Sequence, residues 1–190
     1  MLVTPQKFIA AGLLGLAAAA HAVPTVVGVT GSAGVTNAAA AADGFTPANG
    51  TTWNVTSAAW IGNADTITFK LDQAYHLSSA VITADWNDIY RFSVSTDGVN
   101  YTQLFTVSGL FDQPANTNVG FGQVTMPVSF APTALAYQYL RAQAVLGDGS
   151  NAIGEVSFSG VAAAVPEPST WAFMLAGVGV IGFVGSRRRR

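Results

Sequence analysis

The chain has no cysteine in its 190 residues. That excludes disulfides, thiol nucleophiles and thiolate metal sites, so stability must come from the core or from a metal held by oxygen. Charge is scarce at 9% of residues, and histidine occurs only at His21 and His76. Catalysis has little to work with: a Ser/His/Asp triad would rest on one residue once His21 is gone, and there is no H-E-x-x-H or phosphate-cradling glycine motif. Asp85 and Asp88 stand three apart in one loop, whereas glycoside hydrolysis needs two carboxylates placed on opposite sides of a bond. The residues therefore argue for a non-catalytic protein. No internal repeat is visible, and the long apolar runs are confined to the two ends.

At the amino end, Met1 to Ala22 has one cation at Lys7, an apolar stretch from Phe8 to Ala20 and a small-residue site at Ala20-His21-Ala22. Those are the marks of a secretory signal peptide, with the mature chain starting at Val23. At the carboxyl end, Val165 to Arg190 carries three parts in order: Pro166-Glu167-Pro168, an uncharged run from Thr170 to Gly185, and the arginines Arg187, Arg188, Arg189 and Arg190. The prolines hold their segment extended. The 16 residues of the run span about 24 Å as a helix, short of a hydrocarbon core of roughly 30 Å. The arginines resist translocation and stay cytoplasmic.

This tail resembles the PEP-CTERM sorting signal of Gram-negative bacteria, which the membrane protease-transpeptidase exosortase is thought to process. The resemblance implies export through the inner membrane with signal peptidase and exosortase as transient partners, and a final place in the cell envelope, on the surface or outside. The plain alternative is a single-pass protein that keeps its helix. The expected layout is a signal peptide at 1–22, one domain at 23–160, a linker with the PEP motif at 161–169, a transmembrane sorting helix at 170–186 and a cytoplasmic cluster at 187–190.

Without both end segments, eight Lys and Arg shrink to Lys70, Arg91 and Arg141, against nine acidic residues between Asp43 and Glu155, for a net charge of about −6. Three cations scattered along the sequence leave no footprint for nucleic acid or anionic lipid.

The body reads as β structure. Period-two alternation places Ile67, Phe69 and Leu71 on one face of Thr66 to Leu71. It does the same for Tyr90, Phe92 and Val94, and for Val124, Met126, Val128 and Phe130. Ser79 to Thr83, Tyr101 to Val107, Tyr139 to Leu146 and Ile153 to Ser159 are further strand candidates. Asp97-Gly98 favours a tight or bulged hairpin. Ala38 to Ala42 is too short to hold a helix alone. Short strands between turn signals make the fold class all-β, an antiparallel sandwich or jelly roll.

Three stretches carry a closer likeness: Ala42-Asp43-Gly44-Phe45 with Asn49-Gly50-Thr51-Thr52-Trp53, then Tyr90 to Tyr101 with its Ser-Thr-Asp-Gly-Val-Asn-Tyr end, then Tyr139-Leu140-Arg141 with Ile153-Gly154-Glu155-Val156. They resemble the discoidin-like, galactose-binding-like domain. That resemblance implies a structural calcium between Asp43 and Glu155, joined by carbonyls of the Asn49 to Thr52 loop, with Thr52 among the ligands. Oxygen-only ligation from irregular loops suits calcium. The alternative is that Asp43-Gly44 is only a turn and Glu155 a solvated residue.

Domains of this kind bind sugars through loops at one end of the sandwich. The local candidate is Asp85-Trp86-Asn87-Asp88, with Arg91 following, because a tryptophan face beside polar groups matches the C–H faces and hydroxyls of a sugar. The competing reading is a turn in which Trp86 covers the core edge and the aspartates bond backbone. Trp53 and Trp60 read as core or rim. Phe111 to Pro114 and Gly147 to Asn151 are polar loops available to such a site. Two functions follow: an exported, carbohydrate-binding or exopolysaccharide-binding module, or a structural biofilm or envelope protein with no defined ligand.

Overall fold

The structure is a computed structural model that describes residues 23–110, 122–164 and 173–178. The expected signal peptide, the Pro166-Glu167-Pro168 motif, the arginine cluster and the Phe111 to Pro114 loop lie outside the described residues. Of the expected 170–186 helix only 173–178 is described, and it is helical. Among the described residues no helix is long and apolar enough to cross a membrane.

Among the described residues eight strands follow one another: β1 (Val26–Gly31), β2 (Ala58–Ile61), β3 (Thr66–Asp85), β4 (Ile89–Ser95), β5 (Thr102–Ser108), β6 (Gln123–Ser129), β7 (Tyr137–Leu146) and β8 (Ser150–Ala162). Every ladder between them is antiparallel. The 20-residue β3 is the spine. Its first half lies between β1 and β7, and β7 continues to β4 and β5. Its second half lies between β6 and β8, and β8 continues to β2. The chain passes from one sheet to the other near Tyr75, which pairs with both Tyr137 and Ala162.

The two sheets pack face to face because alternate residues on each are apolar. Phe69 of the first sheet meets Phe158 of the second edge-on at 6.1 Å, and Trp60 of β2 meets Tyr90 of β4 at the same distance. Phe92, Phe105 and Phe130 stack in a row at 4.9 and 5.3 Å. The period-two faces expected from the sequence are inward: Ile67, Phe69, Leu71, Tyr90, Phe92, Val124 and Met126 are all fully buried. This is the expected all-β sandwich.

Ala38–Ala42 forms a 3-10 turn, and it survives because Ala40 and Ala41 are buried beneath it rather than through any propensity of its own. The Asp97-Gly98 hairpin also forms. Gly98 takes φ 75°, and Asp97 accepts from the backbone N–H of Val99 and Asn100 at 2.8 Å each. Those bonds hold its carboxyl well below the usual range.

Candidate functional site

One end of the sandwich gathers the β3–β4 loop, the end of β5, the start of β6 and the β7–β8 turn. Asp85 closes β3 opposite Gln123, and the Trp86 N–H donates to the Gly122 carbonyl at 3.2 Å. Gly109 lies so close to Trp86 that a Cβ there would strike the Trp86 backbone. Gly147 abuts the Asp88 carboxylate in the same way, at φ 149°. The loop is therefore clamped from two sides: a side chain at Gly109 would displace the Trp86 backbone, and one at Gly147 would displace the Asp88 carboxylate.

Its polar groups form a layered network. Asp85 is only 4% exposed and its Oδ1 accepts from the Trp86 N–H at 2.9 Å. Asp88 is fully buried, and its Oδ2 accepts from the Tyr90 hydroxyl at 2.9 Å. The same Tyr90 oxygen accepts from the Ala152 N–H at 3.0 Å and lies 3.0 Å from the Ala152 carbonyl, so its single proton is shared between that carbonyl and Asp88. At the surface, Asn87 Nδ2 donates to Asp148 Oδ2 at 2.8 Å, and the other oxygen of Asp148 caps the Ser150 N–H. Burial, then the nearby Asp88 charge, pushes Asp85 up to about 7. Burial pushes Asp88 up to about 6 against the lowering bond from Tyr90, with Asp148 adding to the rise.

The candidate loop residues thus divide by depth. Asp85 and Asp88 face inward and position the loop, whereas Trp86, partly buried against the core, and Asn87 keep exposed surface. Arg91 is not brought to them: it is exposed on β4, opposite Thr106 and Gln143. Tyr90 and Asp148 complete the network, and sequence reasoning had placed Tyr90 in the core and Asp148 in a separate loop. The Gly147-Asp148-Gly149 turn was the available signal, since glycines flanking an acid mark a close approach.

A cleft of about 340 Å³ is lined by Gly34, Thr36, Trp53, Asn54, Trp60 and Ile61, along β2. Trp53 is half-buried; Trp60 is 2% exposed and its indole nitrogen has no hydrogen-bond partner among the described residues. His76 is engaged elsewhere, its ring nitrogen bonding the Thr133 carbonyl at 2.8 Å.

Asp43 and Glu155 do come together. The Gly44 N–H donates to Glu155 Oε2 at 3.1 Å, and the Phe45 N–H donates to Asp43 Oδ1 at 2.9 Å. Burial first, then the Asp43 charge, pushes Glu155 up to about 7. The Asn49 to Thr52 loop packs over the same end of the sheet: Asn49 Oδ1 accepts from the Thr125 N–H, and the Thr51 carbonyl from the Gln123 N–H. Thr52 is exposed and its carbonyl accepts from the Val55 N–H at 3.3 Å. Among the described residues no group of three His, Cys, Asp or Glu forms a metal cluster. Two hard carboxylates next to a carbonyl-rich loop are a donor set compatible with calcium.

Residues 164–190 match the PEP-CTERM protein-sorting motif, which marks the chain for export to the cell surface or exterior by way of exosortase. No curated protein matches the chain. Among solved structures it is similar to the CBM32 of AlyQ in complex with 4,5-unsaturated mannuronic acid, at 22% identity over 73% of this chain and 98% of that one, with a TM-score of 0.51. It is also similar to a CBM32 module from Clostridium perfringens in complex with GalNAc-β-1,3-galactose, at 16% identity, 70% and 94% coverage and a TM-score of 0.51. A family 89 glycoside hydrolase from Clostridium perfringens contains the same fold, at 18% identity and a TM-score of 0.52 over 77% of this chain but only 16% of that chain. The chain therefore pairs a β-sandwich with the fold of these modules and a C-terminal sorting motif.

Proposed function

We propose that this is a non-catalytic, exported protein of a Gram-negative cell envelope whose sandwich binds a glycan, the cell's own exopolysaccharide, through the Asp85 to Asp88 end. The supporting observation is the division of labour in that loop. Trp86 and Asn87 are partly exposed next to Asp148, and Asp85, Asp88, Gly109 and Gly147 hold them rigid from behind. A pre-positioned aromatic face with adjacent amide and carboxylate groups suits a sugar ring at low ordering cost. The C-terminal run would hold the chain in the inner membrane until exosortase acts at the PEP motif.

A structural calcium belongs to the same reading. Asp43 and Glu155 would hold it with carbonyls of the Asn49 to Thr52 loop, Thr52 included, and it would offset the repulsion between two neighbouring carboxylates. A second placement of the glycan is favoured by the cleft beside β2, where Trp53 and an unpartnered Trp60 indole stand next to Asn54.

The test is a glycan and exopolysaccharide binding screen of the exported chain with Trp86→Ala and Trp53→Ala alongside. Saturable binding lost in Trp86→Ala supports the loop, and loss in Trp53→Ala alone moves the site to the cleft. A folded protein that binds no glycan returns the chain to the alternative, a structural envelope or biofilm protein.

A further inference from the structure

Between Val23 and Ala164 the only Lys or Arg residues are Lys70, Arg91 and Arg141. They stand on three different strands, and strand register brings them to one face. Across β4 and β7, Arg91 opposes Gln143, Ser93 opposes Arg141 and Ser95 opposes Tyr139. Across β7 and β3, Gln143 opposes Thr66, Arg141 opposes Thr68 and Tyr139 opposes Lys70. Opposed residues in a ladder point to the same side, and successive ones alternate. The intervening Phe92, Leu140, Ala142 and Phe69 are fully buried, so these three rows form the outer face of the sheet. The cations descend it diagonally, one strand and one row at a time. With strands about 4.8 Å apart and same-face residues about 6.7 Å apart along each strand, a step is about 8 Å.

Two tyrosines interleave with the charges. The Arg141 guanidinium carbon lies 3.6 Å from the centre of the Tyr101 ring, and Lys70 Nζ lies 6.0 Å from that of Tyr139. Arg141 Nε is buried without a hydrogen-bond partner. Two acids border the face and keep their charge, each hydrogen-bonded by neutral groups: Asp97 by Ser95, Val99 and Asn100, and Asp72 by Tyr75 and the Thr25 N–H. A chain that is acidic in total thus places the three cations of its described body on one sheet face, whose Arg91 end adjoins the Asp85 to Asp88 loop.

We propose that this face is a second binding surface, for an anionic polysaccharide of the polyuronate class lying across the strands along the Arg91, Arg141, Lys70 diagonal. Guanidinium and ammonium groups take carboxylates, the tyrosine faces take sugar C–H surfaces, and the Thr66, Thr68, Ser93 and Gln143 side chains of the rows take hydroxyls. An open sheet face suits an extended polymer, whereas a compact ligand needs concavity. The inference goes beyond the loop-end reading and does not depend on it.

The experiment uses the exported chain in mild detergent, with alginate as the polyuronate and dextran as the neutral polymer, read by biolayer interferometry. The chain binds alginate and not dextran, and affinity falls about tenfold or more between about 20 and 500 mM NaCl as counterions compete. Lys70→Gln with Arg91→Gln, both exposed, weakens alginate binding by about tenfold or more with unchanged melting, since surface changes of this kind leave stability within about 0.5 kcal/mol. Trp86→Ala leaves alginate binding intact, which separates this face from the loop end. Unchanged alginate binding in the double variant, equal retention by dextran, or equal capture of duplex DNA or phosphatidylserine vesicles overturns the proposal.

Discussion

Stability should fall as pH rises from about 5 to about 7.5, against the behaviour of most carboxylate-bearing domains. Asp85 is raised from 3.8 to about 7 and Asp88 from 3.8 to about 6. A raised folded-state value means that the native protein holds protons which the unfolded chain has already released. Stability is then full below the unfolded value and is lost as pH climbs through the folded one. At about 1.4 kcal/mol per unit, Asp85 alone would lose about 4 kcal/mol on complete ionisation. Water entry through the exposed β7–β8 turn reduces this, leaving an expected loss of about 2 kcal/mol, or about 6 to 10 °C in Tm for a domain of this size. Differential scanning calorimetry at the two pH values, in chelator so that Glu155 stays metal-free, measures it. Asp85→Asn keeps the oxygen that accepts from the Trp86 N–H and removes the charge, so it should raise Tm at pH 7.5, change it little at pH 5 and flatten the slope. A Tm that is equal or higher at pH 7.5, or an Asp85→Asn variant less stable at both, refutes the reasoning.

Other outcomes follow from the same geometry. Tyr90→Phe removes a fully buried hydroxyl shared by Asp88 and Ala152. It should cost about 1 to 3 kcal/mol in denaturant melts, more at pH 7.5 than at pH 5, because Asp88 then loses the bond that stabilises its charge. Gly109→Ala drives a methyl into the Trp86 backbone; it should destabilise by about 2 kcal/mol or more and broaden the Trp86 indole signal in NMR. Calcium at about a hundredfold above its Kd should add about 2.7 kcal/mol to thermal stability. Glu155→Gln should abolish that gain, and an unchanged Tm with and without chelator removes the metal from the account.

The strands that declared themselves in the sequence did so by alternation, as at Thr66 to Leu71 and Tyr90 to Ser95. β3 was not legible as one strand. Gln73 interrupts its apolar alternation, and an irregularity between Leu77 and Ser79 shifts its phase, so two short strands appear where one long strand passes between sheets. β1 was hidden because it pairs along one side only and alternates weakly, and the four-residue β2 because it is too short to show a period. The loop at Asp85 to Asp88 could be located but its depth could not. Asp148 reaches Asn87 across 61 residues, and only the β7–β8 turn makes them neighbours. The cation diagonal was invisible for the same reason. Lys70, Arg91 and Arg141 look scattered until register aligns them, and register is a property of pairing rather than of any one strand.

The central claim is that a glycan docks on the outer side of the Asp85 to Asp88 loop. The most direct measurement is a two-dimensional NMR titration of the isotope-labelled exported chain with oligosaccharides from the producing cell's exopolysaccharide. The account predicts saturable shifts at the Trp86 indole N–H and the Asn87 and Asp148 amides, with the Gly147 amide following and the core amides of β3 still. Saturable shifts confined to other surfaces, or none at any concentration, contradict it.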